Sequence, residues 1–179
     1  MTSSKTIRSQ LLVTDTCVVI EAHRHGVWQA LLDQCHVVLP ATVVDEAIQV
    51  ARQFDEFRLR LEEEIEAGLV QSPSLDASSL QAVLARCPGF PGKIDPGELE
   101  CLAFVLDNPD QSAVVCSSDA VVFRYLGWLQ MSESAVSLEE VLDALGLSRP
   151  LPKRLSKAAR VNWTQKGFTE ALQSGFIQL

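Results

Sequence analysis

Three short apolar runs constrain this chain most: Leu11-Leu-Val13, His36-Val-Val-Leu39 and Ala113-Val-Val-Cys116. Each has the length of a strand, and residues at helical spacing follow each one. Strands that alternate with helices imply a parallel sheet covered on both faces. The expected fold is therefore α/β, a three-layer α/β/α sandwich around a central, mainly parallel sheet of four or five strands. At 179 residues with 47% hydrophobic content, the chain suits one well-packed domain and is too short for two large ones.

The segments between the runs refine this reading. Residues 1–9 are polar and read as loose, and the first strand covers about Gln10 to Thr14. Val18, Val19, Ala22, Val27, Trp28, Leu31 and Leu32 predict a helix broken, or a helical pair divided, at Gly26. Thr42 reads as an N-cap, with Asp45 three residues on, for a helix to about Val50. Gln53 to Gly68 reads as a charged helix stopped by its glycine, with Leu69-Val70 as an edge element. Leu80, Val83 and Leu84 suggest another helix, and Cys87-Pro-Gly-Phe-Pro-Gly-Lys93 is a loop because its prolines break any ladder. Glu98 to Leu106 is helical, as is the stretch after Asp119 through Tyr125. Trp128 to Met131 reads as a fourth strand, and Val136 to Leu145 as a helix ended by Gly146.

Acids recur where strands end or helices begin. Asp15 follows the first run, Glu46 lies six residues after Pro40, Asp95-Pro96-Gly97-Glu98 opens a helix, and Ser117-Ser118-Asp119 closes the third run. In a parallel sheet such positions meet in the crevice at the carboxyl ends of the strands, the usual ligand site of open α/β folds. Each acid also has a purely structural alternative. Asp95 and Glu98 with Pro96 between them spell a capping box, and Asp15 and Asp119 are good N-caps. Clustered carboxylates, by contrast, suit an oxygen-loving cation and phosphodiester hydrolysis. The three histidines, His23, His25 and His36, show no ligand spacing with a carboxylate.

This order of acids over residues 10–146 resembles the PIN domain family, including its VapC-like toxin ribonucleases. The resemblance implies a metal-dependent endoribonuclease using Mg²⁺ or Mn²⁺, with Asp15, Glu46, Glu98 and Asp119 as the catalytic and metal-holding acids and Ser117 in support of the fourth. It also implies an RNA substrate, an antitoxin partner and a homodimer. The chain departs from the family at two points: a glutamate stands at the third position, and Ala120, Val121 and Val122 follow the fourth acid where further acids often stand. A non-catalytic PIN-like module that binds RNA or protein is the rival reading. A phosphotransferase of the haloacid dehalogenase kind is disfavoured, because Cys17 stands where its second aspartate belongs.

Charge and cysteines bound the partners. The formal net charge of −8 argues against a large basic face of the kind that binds nucleic acid by electrostatics alone. Six of the 15 basic residues (Arg149, Lys153, Arg154, Lys157, Arg160, Lys166) fall after Ser148, leaving nine before it against 22 acids. Residues 147–179 thus read as a basic extension in which Phe168, Leu172 and Phe176 dock a last helix, or else as a flexible tail beyond Pro150 and Pro152. That tail or Lys93 is the expected contact for an RNA backbone. Five scattered cysteines without a Cys-x-x-Cys pair, and no apolar run of signal or membrane length, predict a cytoplasmic protein with no membrane segment.

Overall fold

The computed structural model describes residues 4–54 and 58–177. Helix α1 (Ser4–Ser9) leads into β1 (Leu11–Thr14), then α2 (Thr16–Arg24), α3 (Trp28–Gln34), β2 (His36–Val38) and α4 (Ala41–Phe54). The chain continues through α5 (Leu61–Glu66), β3 (Val70–Gln71), α6 (Ala77–Arg86), α7 (Pro96–Asp107), β4 (Val114–Cys116) and α8 (Ala120–Trp128). It ends with β5 (Ala135–Val136), α9 (Leu138–Leu145) and α10 (Lys157–Gln173).

The five strands form one sheet in the order β3-β2-β1-β4-β5, with every pair parallel. Helices flank it to give the expected three-layer sandwich: α2, α4, α7 and α6 pack in succession, as do α8, α10, α9 and α1. Leu12, Val13, Val38, Val115 and Cys116 are fully buried, as strands covered on both faces require. From β1 the chain first builds outward through β2 and β3, then returns to add β4 on the opposite side. This reversal places a switch point between the carboxyl ends of β1 and β4, where helices leave in opposite directions and a crevice opens. Among the described residues no helix is long and apolar enough to cross a membrane.

Several elements differ from the sequence reading. Trp128 is the last residue of α8, and Gln130 in the turn after it has φ 59°. The apolar run there was too short for its period to separate strand from helix. The fifth strand is Ala135–Val136, and Ser137 caps α9 through a box with Glu140. Residues 4–9 are helical, with Ile7 buried in the core. Helix α4 begins at Ala41, so Thr42 lies inside it and does not cap it. Part of the expected helix over 53–68 falls on residues 55–57, outside the described residues. Of the remainder, Arg58 to Arg60 are not helical and α5 begins at Leu61.

The basic extension contributes α10, which lies along α8. Its buried residues are Thr164, Gly167 and Ala171, while Phe176 is 39% exposed. The docking stripe within α10 is made of small side chains, and of the expected residues Phe176, beyond the helix end, packs on Trp128 with ring centroids 5.6 Å apart. A Cβ on Gly167 would stand 1.9 Å from the Arg124 carbonyl oxygen, and one on Gly127 would stand 2.0 Å from that of Thr164. The two backbones meet directly. Ion pairs Arg124–Glu170 and Arg160–Glu140, both at 2.7 Å, flank that contact.

Candidate functional site

At the switch point lies a cleft of about 410 Å³ whose walls include Asp15, Glu46, Glu98 and Asp119, together with Cys17 and Gln49. The four acids arrive from four elements. Asp15 ends β1 and caps α2, Glu46 sits in the second turn of α4, Glu98 in the first turn of α7, and Asp119 caps α8 after β4. All four sequence-predicted acids are therefore brought together. The histidines are not: His23 stacks on Trp28 with ring centroids 4.9 Å apart, His25 faces Glu21, and His36 is exposed at the start of β2.

The capping alternatives are also real, and structure and cleft coexist at each acid. Asp15 Oδ1 accepts the Val18 amide at 2.8 Å. Its Oδ2 accepts the Ser117 hydroxyl and, at 3.3 Å, the Ser118 amide. Ser117 Oγ in turn accepts the Asp119 amide at 2.9 Å, so one serine ties the first acid to the fourth. Asp119 Oδ1 accepts the Val121 amide at 2.7 Å, and Glu98 Oε2 accepts the Asp95 amide at 3.0 Å to close its capping box. Glu46 Oε2 accepts the Thr16 hydroxyl at 2.8 Å.

Three supporting residues carried no signal in the acid spacing. Thr16 fixes Glu46, and Gly97 lets it approach, since a Cβ there would come within 2.9 Å of Glu46 Oε2. Glu100, buried among the apolar residues of α7, accepts the Thr42 hydroxyl at 2.7 Å and the Thr42 amide at 3.0 Å. That pair joins the helix bearing Glu98 to the helix bearing Glu46. An acid between Leu99 and Cys101 in an otherwise apolar helix was the one available hint, because a buried carboxylate needs donors. Removing the hydroxyl with Thr42→Val leaves Glu100 short of a donor. It is expected to lower stability by ~1–3 kcal/mol in urea unfolding, with Thr42→Ser close to the native protein.

Electrostatically the cleft is uncompensated. Burial raises the Asp15 carboxyl above its ordinary range, against the opposing hydrogen bonds from Ser117, Val18 and Ser118. Burial also pushes Glu98 up to about 8; the Asp95 amide opposes the shift, and repulsion from Asp119, Asp95 and Asp15 adds to it. Because the folded value of Glu98 exceeds its ordinary 4.5, the folded protein holds the extra proton. Stability from this group is then full below about 4.5 and is lost as pH rises through about 8. Glu98 is partly solvated, so the expected loss is ~1 kcal/mol. Urea midpoints of the metal-free protein, compared with Glu98→Gln across that window, measure it: the native protein's midpoint should fall relative to the variant's as pH rises. A constant difference would show that Glu98 is not the group responsible.

The donors fit a hard divalent cation in kind, being all oxygen and mutually repelling; Asp15 is buried, Glu46 and Glu98 are half-buried and Asp119 is exposed. Among the described residues no three His, Cys, Asp or Glu side chains stand together as a ready-made metal cage. Glu46 is turned onto Thr16 and Glu98 onto Asp95 instead. Lys93 lies 4.0 Å from Asp95 at the exposed rim, and Arg124 is engaged by Glu170. No family model and no curated protein matches the chain.

Proposed function

We propose that the cleft is the reaction centre of a PIN-like, metal-dependent endoribonuclease that hydrolyses RNA phosphodiester bonds. The observation that carries this reading is the convergence of Asp15, Glu46, Glu98 and Asp119, from four separate elements, on one cleft at the sheet's switch point. Asp15, Glu46 and Asp119 would hold Mg²⁺ or Mn²⁺ together with Glu98. Such an ion, when bound, supplies positive charge against the scissile phosphate and acidifies water. The chain's own residues do the rest. Ser117 holds Asp15 and the start of α8 in register, and Thr16 keeps Glu46 facing the cleft. The Asp95 amide occupies Glu98 Oε2, leaving Oε1 for the ion.

The test is a calorimetric titration of Mn²⁺ into the purified protein, with digestion of single-stranded RNA run alongside in Mn²⁺ and in EDTA. Saturable binding and chelator-sensitive cleavage support the reading. Intact RNA and no binding overturn it. One observation favours the rival, non-catalytic module: every one of the four acids already has a hydrogen-bond partner within the protein. RNA affinity without Mn²⁺ binding or cleavage would decide for that rival. The nuclease reading extends to a toxin role, with an antitoxin's basic side chain entering the cleft, a homodimer, and a cytoplasmic setting that suits five free cysteines. Light scattering after gel filtration tests the dimer.

A further inference from the structure

The carboxylate cleft does not end at Glu46. Gln49 lines both it and a neighbouring cleft of about 330 Å³, which also holds Asp45, Arg52 and Glu62. Arg52, Ile48 and Glu62 in turn line a third cleft, of about 500 Å³, together with Arg58 and Arg60. Glu46, Gln49 and Arg52 follow one another at three-residue intervals along α4, a rise of ~4.5 Å per step. Three adjacent clefts, each sharing lining residues with the next, thus form an interrupted trough from the acids along α4 to a group of three arginines.

Among the described residues those arginines, and Arg86 at the end of α6, lack the close partners that engage the others. Arg24 and Arg154 both pair with Glu21, Arg124 with Glu170 and Arg160 with Glu140, while Arg149 donates to the His25 and Leu147 carbonyls. The extension's guanidinium groups are thus occupied in holding it to the body. Arg52 and Arg58 are exposed and have no hydrogen-bond or ion-pair partner among the described residues, and Arg60 has only Glu63 at 3.9 Å. An unpaired guanidinium presents a planar fork that matches a phosphate. Asp45, Glu62 and Glu63 line the same trough. General attraction for a polyanion is therefore weak there, and contact depends on phosphates that the forks reach.

We infer that Arg52 and Arg58, with Arg60 beside them, bind the backbone phosphates of the single-stranded RNA that flanks the scissile bond, and that the basic extension does not. This rests on the nuclease reading and deepens it. The experiment measures the anisotropy of a short fluorescein-labelled single-stranded oligoribonucleotide in Mn²⁺, with every protein in an Asp119→Asn background that stops turnover. Arg52→Ala/Arg58→Ala is compared with Lys153→Ala/Lys157→Ala, and Mn²⁺ titrations and thermal melts are run on each. The arginine pair is expected to lose affinity about tenfold or more. It should also flatten the plot of log affinity against log salt by ~1.4, the share of two phosphates on a single strand. Mn²⁺ affinity and melting should stay unchanged, and the lysine pair should bind RNA as the background does. Unchanged affinity in the arginine pair, or an equal loss in the lysine pair, overturns the inference. If Mn²⁺-dependent cleavage by the native chain persists in that case, the nuclease reading stands. RNA that binds none of these proteins overturns the inference as well, and a Mn²⁺ titration of the native chain, which keeps Asp119, then shows whether the metal site falls with it.

Discussion

Under the proposed nuclease reading, Asp15→Asn is expected to slow RNA cleavage by ~10³-fold while leaving the fold intact. Asparagine caps a helix as well as aspartate does, so the Val18 amide keeps its acceptor in α2. The substitution removes the charge and replaces Oδ2 by an amide donor, so the Ser117 hydroxyl must turn to accept and the Ser118 amide loses its partner; Asp15 is 5% exposed at the point where β1 meets the cleft. Loss of a carboxylate that anchors a cation removes several kcal/mol of charge stabilisation in the transition state, or ~10³-fold in rate. Mn²⁺ affinity should fall in parallel. Relief of the buried charge, which already raises the Asp15 carboxyl, is offset by the lost Ser118 bond, so the urea midpoint should change little. Cleavage that persists in a well-folded Asp15→Asn protein would remove Asp15 from the site. A collapsed fold would instead show that the carboxylate serves structure, through Ser117 and Ser118, beyond what asparagine can replace.

Gly167→Ala is expected to be the most destabilising single change outside the cleft. The added carbon would stand 1.9 Å from a carbonyl oxygen of α8, and that neighbour is backbone, not a flexible side chain. One helix must move. Overpacking of this kind costs ~3 kcal/mol, and the movement also strains Arg124–Glu170 beside the contact. Gln165→Ala, on the exposed side of the same helix, should change stability by less than ~0.5 kcal/mol. Urea unfolding of both variants decides the matter: equal midpoints would mean that α10 does not rest on α8. Since α8 starts at Asp119, Gly167→Ala should slow cleavage as well, by displacing the fourth acid.

The sheet was legible because its strands obey a local rule. Leu11 to Thr14, His36 to Val38 and Val114 to Cys116 are apolar and strand-length, and each runs into a helix. Legibility failed where a short segment takes its state from a distant partner. Leu126 to Met131 is helix and turn because Gly127 seats α10, a contact made from 37 residues further along the chain at Thr164. Thr42 looked like a cap, yet its hydroxyl is claimed by Glu100, 58 residues away. The extension's aromatic spacing suggested its docking face, and within α10 the small residues Thr164, Gly167 and Ala171 form it, because α8 and α10 approach so closely that even a Cβ on Gly167 would meet backbone.

By itself the sequence determined the α/β class, the parallel sheet and the four acids, since strand period, strand-end position and helix-start chemistry are all written within a few residues. Tertiary structure decided the strand order β3-β2-β1-β4-β5, and with it the crevice that gathers those acids. It also decided that Arg154 and Arg160 of the extension are spent on Glu21 and Glu140, while Arg52 and Arg58 have no partner among the described residues. The reason is physical: a carboxylate or guanidinium is defined by what faces it, and in this chain the facing group lies tens of residues away.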